Sequence, residues 1–140
     1  MKELKSDCPV NQYLEIFGDK WTLLIIRDLM FVGKRYFREL LSSEEGIASN
    51  ILTDRLNKLE EAGIIIKTDD PNHKQKNIYT LTKSGIDLMP IIVAMSTWSV
   101  KHRVVNEKDQ AHIRHISDPK INFQKERKKE LELELEKVIE

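Results

Sequence analysis

The chain has 140 residues, with 23 Lys and Arg against 23 Asp and Glu, and so carries no formal net charge. Its 33% charged and 40% hydrophobic residues are the balance of a soluble globular chain long enough to bury a core. A zero balance excludes a uniformly basic surface, yet nucleic-acid binding needs only one basic face. The opening residues lack the apolar run of a secretory signal, and the longest apolar stretch, Met89 to Val100, is too short to span a bilayer. The single cysteine, Cys8, has no partner for an intramolecular disulfide. A cytoplasmic location with no membrane partner is the expectation.

Cys8-Pro9 opens the first ordered element, because proline fits the first helical position and places Cys8 at the N-cap. This short helix carries Val10, Tyr13, Leu14 and Phe17, and Gly18-Asp19 breaks it. Asp19 then caps a second helix, Lys20 to about Phe31, whose apolar Trp21, Leu24, Ile25 and Leu29 recur at helical spacing. Gly33 ends it. Arg35 to Ser42 reads as a short third helix with Phe37, Leu40 and Leu41 inward, and Ser43-Glu44-Glu45-Gly46 as a turn. Ser49 to Ala62 is a fourth helix with Ile51, Leu52, Leu56 and Leu59 on one stripe, and Gly63 is placed to terminate it in the left-handed conformation.

The period then changes. Residues 64–68 and 78–81 are β-branched and strand-like, and the polar run Asp69 to Asn77 between them reads as a hairpin tip. From Thr82 a long helix is expected to about Val105, apolar on too many sides for a lone surface helix, which implies burial against a second copy of the chain. Residues 107–140 hold nine acidic and eight basic side chains, and Leu131, Leu135 and Val138 at helical spacing favour a helix over the strand that the Glu-Leu alternation at 130–136 would suggest. Two segments are expected: 1–105 as the folded domain with its dimerisation helices, and 106–140 as a charged helical extension.

The fold class these elements spell is mainly α with a small β-hairpin, in the order of a winged helix-turn-helix. In that arrangement Arg35–Ser42 and Ser49–Ala62 form the motif, the second helix enters the major groove, and the hairpin is the wing. The apolar stripe of the fourth helix leaves Asn50, Thr53, Asp54 and Asn57 on the opposite face. Asn pairs with adenine in bidentate fashion, and Thr meets a thymine methyl or a phosphate. Ser49 opens this helix and Arg55 flanks the face, while Lys34, Arg35 and Arg38 add charge where the motif's first helix would cross the backbone. His73, Lys74, Gln75 and Lys76 make the wing tip compact and cationic, suited to phosphate. Taken singly, each of these residues is better explained by a solvated surface; their order along the chain is what raises them together. Asp54 opposes phosphate and is expected to pair with Lys58 one turn on.

Cys8-Pro9-Val10 and Gly18-Asp19-Lys20-Trp21-Thr22-Leu23-Leu24-Ile25-Ile26-Arg27-Asp28-Leu29 resemble the opening signature of HxlR-type transcriptional regulators. Arg35 to Leu40, Ile51 to Glu60, Ala62 to Ile65, and Tyr79 to Gly85 with the following helix continue the resemblance in register, over roughly Cys8 to His102. It implies a bacterial, dimeric winged-helix DNA-binding protein of MarR-like architecture, with the N-terminal helix and the long Thr82–Val105 helix forming the dimer interface. One departure is Ala48-Ser49, where such regulators often carry Ser-Pro, which weakens the N-cap of the fourth helix.

The resemblance also implies that a cysteine at the position of Cys8 senses electrophiles or oxidants in several members. A helix N-terminus favours a thiolate, which makes this physically reasonable, although Asp7 opposes it. With one cysteine the outcomes are a link between two Cys8 side chains across a dimer, a mixed disulfide with a small thiol, or alkylation. The plainer alternative, packing in the interface, has the weight of cysteine's general tendency to be buried. His112 and His115 lack a convincing third metal ligand nearby, so a polar surface is the better reading and no metal or cofactor is expected. No phosphate loop, HExxH pattern or nucleophile elbow is present in the sequence, and an enzyme is not expected. The reading is a sequence-specific regulator bound as a homodimer to double-stranded DNA at an inverted repeat, its small-molecule effector unspecified. The alternative is a winged-helix protein-interaction module that does not bind DNA.

Overall fold

The structure, a computed structural model, describes residues 3–139; Met1, Lys2 and Glu140, at the outer ends of the two expected segments, lie outside the described residues. Helix α1 spans Pro9–Phe17, with Cys8 as its extended N-cap and Pro9 at its first position. None of its residues is buried, and Val10, Tyr13, Leu14 and Ile16 stand exposed.

The expected single helix from Lys20 to Phe31 is instead two unlike turns: α2, Thr22–Arg27, and a π turn, Asp28–Val32. Asp19 does cap the start, accepting bonds from the N–H groups of Trp21 (3.1 Å) and Thr22 (3.2 Å). At the far end the N–H of Gly33 reaches back five residues to the Asp28 carbonyl, closing the wider ring of a π turn. The Asp28 carboxylate is buried there among Arg27, Lys34 (3.3 Å) and the Ser43 hydroxyl. A buried charge needs such partners.

Helix α3 covers only Phe37–Leu41, shorter than the expected Arg35–Ser42. Tyr36 is extended, and the Arg35 carbonyl accepts the Tyr79 N–H at 2.9 Å, so this stretch pairs with a strand instead of starting the helix. Glu39 accepts from the N–H groups of both Arg35 and Tyr36 at 3.0 Å. Helix α4 runs Ser49–Glu61 with Leu52, Leu56 and Leu59 buried, close to expectation. Its N-cap, Ala48, makes no side-chain bond, which is the weak cap that Ala48-Ser49 implied. Gly63 follows at φ +75°, a left-handed conformation that turns the chain directly into the strands.

The hairpin is longer than expected: β1 is Ile65–Asp70 and β2 is His73–Leu81, so the nine-residue tip shrinks to the turn Pro71-Asn72. The strands are antiparallel, with Ile65 opposite Leu81 and Lys67 opposite Tyr79. The expected long helix from Thr82 is broken into α5, Lys83–Ile86, and α6, Met89–His102. Pro90 has no N–H to donate and sits in the first turn of α6, where none is needed. Gly85 lies against the Ile64 carbonyl, which a Cβ would meet at 2.4 Å, so α5 packs this closely only with glycine. Arg103 is extended and ends α6 at His102, three residues short of the expected Val105.

Helices α7, Glu107–Ser117, and α8, Phe123–Ile139, follow, longer than the helix expected near Leu131. They dock on this same chain. Ile116 and Leu131 are 3% and 2% exposed within the core formed by Ile26, Met30, Leu52 and Leu59. Arg127 donates to the Met30 carbonyl at 2.6 Å, and Phe123 stacks on Phe31. No described helix is long and apolar enough to cross a membrane.

Candidate nucleic-acid interface

Because Leu52, Leu56 and Leu59 pin α4 to the core, its other face is presented outward: Asn50, Thr53, Asp54 and Asn57 are all exposed. The Thr53 hydroxyl donates to the Ser49 carbonyl at 2.9 Å, which turns its methyl away from that bond. Asp54 is paired with Lys58 at 3.2 Å, as its spacing predicted, and with Arg55 at 2.5 Å. These partners hold its carboxyl below the ordinary range, Lys58 first, and offset its repulsion of phosphate.

Between α4, α3 and the hairpin lies a groove of about 480 Å³, with Thr53 and Asn57 on one wall and Lys67, Gln75 and Lys76 on the other. Tyr36 and Arg38 also line it. The groove brings together residues between 36 and 79 that the sequence scatters over α3, α4, β1 and β2. Thr53, Asn57, Arg38, Gln75 and Lys76 are the expected residues that it gathers; Ser49, Asn50, His73 and Lys74 are exposed but do not line it.

Three expected cations are turned to structural partners. Arg35 donates to the Thr80 hydroxyl at 3.0 Å, and its Nε is buried with no hydrogen-bond partner. Arg55 donates to Asp19 at 2.8 Å, and Lys34 is held by Asp28 and the Ser43 hydroxyl. Four residues of the groove went unmarked as contacts in the sequence, Tyr36, Lys67, Asn77 and Tyr79, while Phe37 and Leu56 read as inward. Lys67 had a signal: it is a lysine directly after the run Ile64-Ile65-Ile66, and a lysine in a strand keeps its ammonium in water.

The wing and the helix-turn-helix are tied by Tyr36, whose hydroxyl donates to Asp70 at 2.7 Å. Asp70 is held low first by the Asn72 N–H and then by that hydroxyl, and the same bond raises Tyr36 above the usual tyrosine value. Among the remaining candidates, His115 packs edge-on against Phe123 and His112 borders a cleft between α2, α6 and α7, so the two rings serve different surroundings. Cys8 is exposed.

Residues 16–107 match the HxlR-like helix-turn-helix family. The chain belongs to this family. It is 34% identical over 88 residues to the uncharacterized HTH-type transcriptional regulator sll1512 of Synechocystis, covering 63% of this chain and just under two thirds, 64%, of that one. The crystal structure of PA1607 superposes with a TM-score of 0.66 at 34% identity, over 74% of this chain and 70% of that chain. The reduced form of the transcriptional regulator YodB from B. subtilis gives 0.58 at 28% identity, over 69% and 95%. YodB has also been solved treated with diamide and bound to quinone. The winged helix-turn-helix fold and membership of a family of transcriptional regulators, not enzymes, therefore stand as the sequence indicated. Cys8 lies outside the matched residues.

Proposed function

We propose that this member of the HxlR-like family binds double-stranded DNA as a homodimer, with α4 in the major groove and the β1–β2 wing on the backbone. The observation that carries the reading is the groove in which Thr53 and Asn57 of α4 face Lys67, Gln75 and Lys76 of the hairpin. Uncharged hydrogen-bonding side chains on the helix suit base edges, and cations on the wing suit phosphate. Net neutrality is no obstacle, since the acidic side chains Asp19, Asp28, Glu45 and Asp54 are all engaged by cations of the same chain.

Dimerisation is supported by two apolar faces that the described residues leave half exposed. On α6, Ile91, Met95 and Trp98 are each about half exposed, and α1 carries Val10, Tyr13 and Leu14 in the same condition. Exposed apolar faces of this kind mark interfaces. A two-fold dimer through α1 and α6 presents two α4 helices to an inverted repeat with half-sites about one helical turn apart. Such a regulator acts in the cytoplasm.

Cys8 at the N-cap of α1 then sits beside the interface, where modification would change the angle between the two reading helices. Its thiolate adds to a quinone carbon, forming an S–C bond while the ring takes up a proton. Diamide removes two electrons and two protons from two thiols, joining a Cys8 pair across the dimer or Cys8 to a small thiol. The test is fluorescence anisotropy on the DNA upstream of the protein's own gene, with reduced protein, quinone- or diamide-treated protein, and Cys8→Ala. Binding that oxidant abolishes in the parent but not in Cys8→Ala supports the full reading. Binding indifferent to oxidant keeps the regulator and removes the switch. No preference over random DNA at this and other upstream sites favours the protein-interaction module instead.

A further inference from the structure

The wing carries its cations where strand pairing stops. Asp69 lies opposite Asn77 but Asp70 lies opposite His73, so Lys74, Gln75 and Lys76 have no residue facing them on β1. A bulged stretch of this kind is not held by the ladder and must be held by something else. The partners at its base converge on one side chain. Asp70, 3% exposed, accepts the Asn72 N–H at 2.9 Å, which closes the turn, and the Tyr36 hydroxyl at 2.7 Å. The Lys76 ammonium lies 5.7 Å from the centroid of the Tyr36 ring, within cation–π range. Tyr36 is itself fixed, as the extended N-cap of α3 with its N–H on Glu39 at 3.0 Å. It lines the groove between α4 and the wing. One residue of the helix-turn-helix thus grips the wing twice, by its hydroxyl at the turn and by its ring under Lys76.

We propose that Tyr36 is a positioning residue for DNA binding, holding the unpaired Lys74–Lys76 tip at the distance from α4 at which it meets a phosphate. The inference rests on the DNA-binding reading above. With the hydroxyl gone, Asp70 loses a partner it needs while buried, the turn loosens, and the cations spend less time at the backbone. The reading helix, pinned by Leu52, Leu56 and Leu59, does not depend on that hydroxyl.

The test is a salt titration of the full chain against a fluorescein-labelled, mixed-sequence duplex of about 30 base pairs, roughly three helical turns. Affinity falls with salt by a logarithmic slope of about 0.9 per phosphate neutralised. Tyr36→Phe, which keeps the ring, shallows that slope by about one for each wing that releases a phosphate. Lys76→Ala shallows the wild-type slope but adds little to Tyr36→Phe, because both act on the same contact. An unaltered slope in Tyr36→Phe, or a Lys76→Ala increment as large there as in the wild type, overturns the proposal. Circular dichroism checks folding, and if Tyr36→Phe does not fold, Asp70→Ala cuts the same link from the other end and decides by the same comparison. A wild-type chain with no salt-dependent binding defeats the DNA-binding reading itself, and this inference with it; that outcome is read from the wild type alone.

Discussion

The Arg55 guanidinium donates through Nε to the Asp19 carboxylate at 2.8 Å, joining residues 36 positions apart. Asp19 also accepts the Trp21 and Thr22 N–H groups and the Thr22 hydroxyl, so one carboxylate starts α2 and steadies α4. Burial works to raise its pKa, but the bonds from Thr22, Arg55 and the two N–H groups hold it below the ordinary carboxylate value. Arg55 therefore has a structural task on the flank of α4.

Asp19→Ala removes a helix cap and this link together, and is expected to cost about 1–2 kcal/mol in urea denaturation, the range for a lost cap. Arg55→Ala should cost less, because the pair is partly exposed and solvent screens it. The two losses should not add, since the link is counted once in each. Additive losses would mean that Asp19 and Arg55 act separately.

Acid should weaken the fold through the same class of contact. Glu45, bonded by Arg27 at 2.7 and 2.8 Å, is pushed down to about 2 from 4.5, and Asp19 moves in the same direction. A carboxyl with a depressed folded pKa contributes its stability above the unfolded value, and that contribution is lost as pH falls toward the folded one. Melting temperature should therefore drop between about pH 4.5 and about 2. Glu45→Gln should lie below the parent at pH 7 and converge on it near pH 2. Parallel curves at all pH values would exclude the Arg27–Glu45 pair as a source.

The two walls of the groove should separate by experiment. Thr53→Ala or Asn57→Ala, and Asn50→Ala beside them, should relax sequence preference, each base contact being worth about 1–3 kcal/mol of discrimination. Lys74→Ala with Lys76→Ala should weaken binding to every sequence and shallow the salt slope by about 0.9 per phosphate lost. Anisotropy on operator and random duplexes across a salt series reads both. A helix variant that loses only general affinity, or a wing pair that leaves the slope untouched, would reverse the assignment.

Replacing Met95 or Trp98 by Glu places a charge in the exposed α6 face without touching the core. Sedimentation velocity should show a dimer for the parent and a monomer for the variant, with DNA affinity falling because the half-sites are no longer bound together. A dimer that survives both substitutions would move the interface away from α6.

Much of this was legible in the sequence where one local signal decided the element. Asp19 and Gly63 marked helix ends that the structure keeps, and the stripe Leu52-Leu56-Leu59 named the buried face of α4 and so its outward one. What was not legible depended on contacts between distant segments. Arg35 reads as a helix start, yet its carbonyl is taken by Tyr79 N–H, and no local propensity announces a strand partner 44 positions on. The long apolar run after Thr82 suggested one helix, and Pro90 was the available sign that it would break. Tyr36 shows nothing until the wing folds back over it, and the role of Arg127 needs the π turn to expose a carbonyl. The site residues divided in the same way: that Asn50, Thr53 and Asn57 face outward was readable, but that Lys34, Arg35 and Arg55 are already engaged was not.

That carbonyl makes the docking of the C-terminal helices testable. The Met30 oxygen belongs to the π turn and accepts from Arg127 Nε at 2.6 Å, while the same guanidinium is kept in place by Glu130 at 2.8 Å. Arg127→Ala leaves a carbonyl without its donor and should cost about 1–3 kcal/mol. Arg127→Lys should recover only part, since an ammonium cannot bond Met30 and Glu130 with the planar fork of a guanidinium. Leu131→Ala opens a cavity in a core position 2% exposed and should cost about 2–5 kcal/mol. If α7 and α8 are integral to the fold, all three variants lower the midpoint of one cooperative unfolding transition. If the helices melt on their own, Leu131→Ala instead splits off an early transition in circular dichroism while the remaining midpoint, set by α2 to β2, stays where it was.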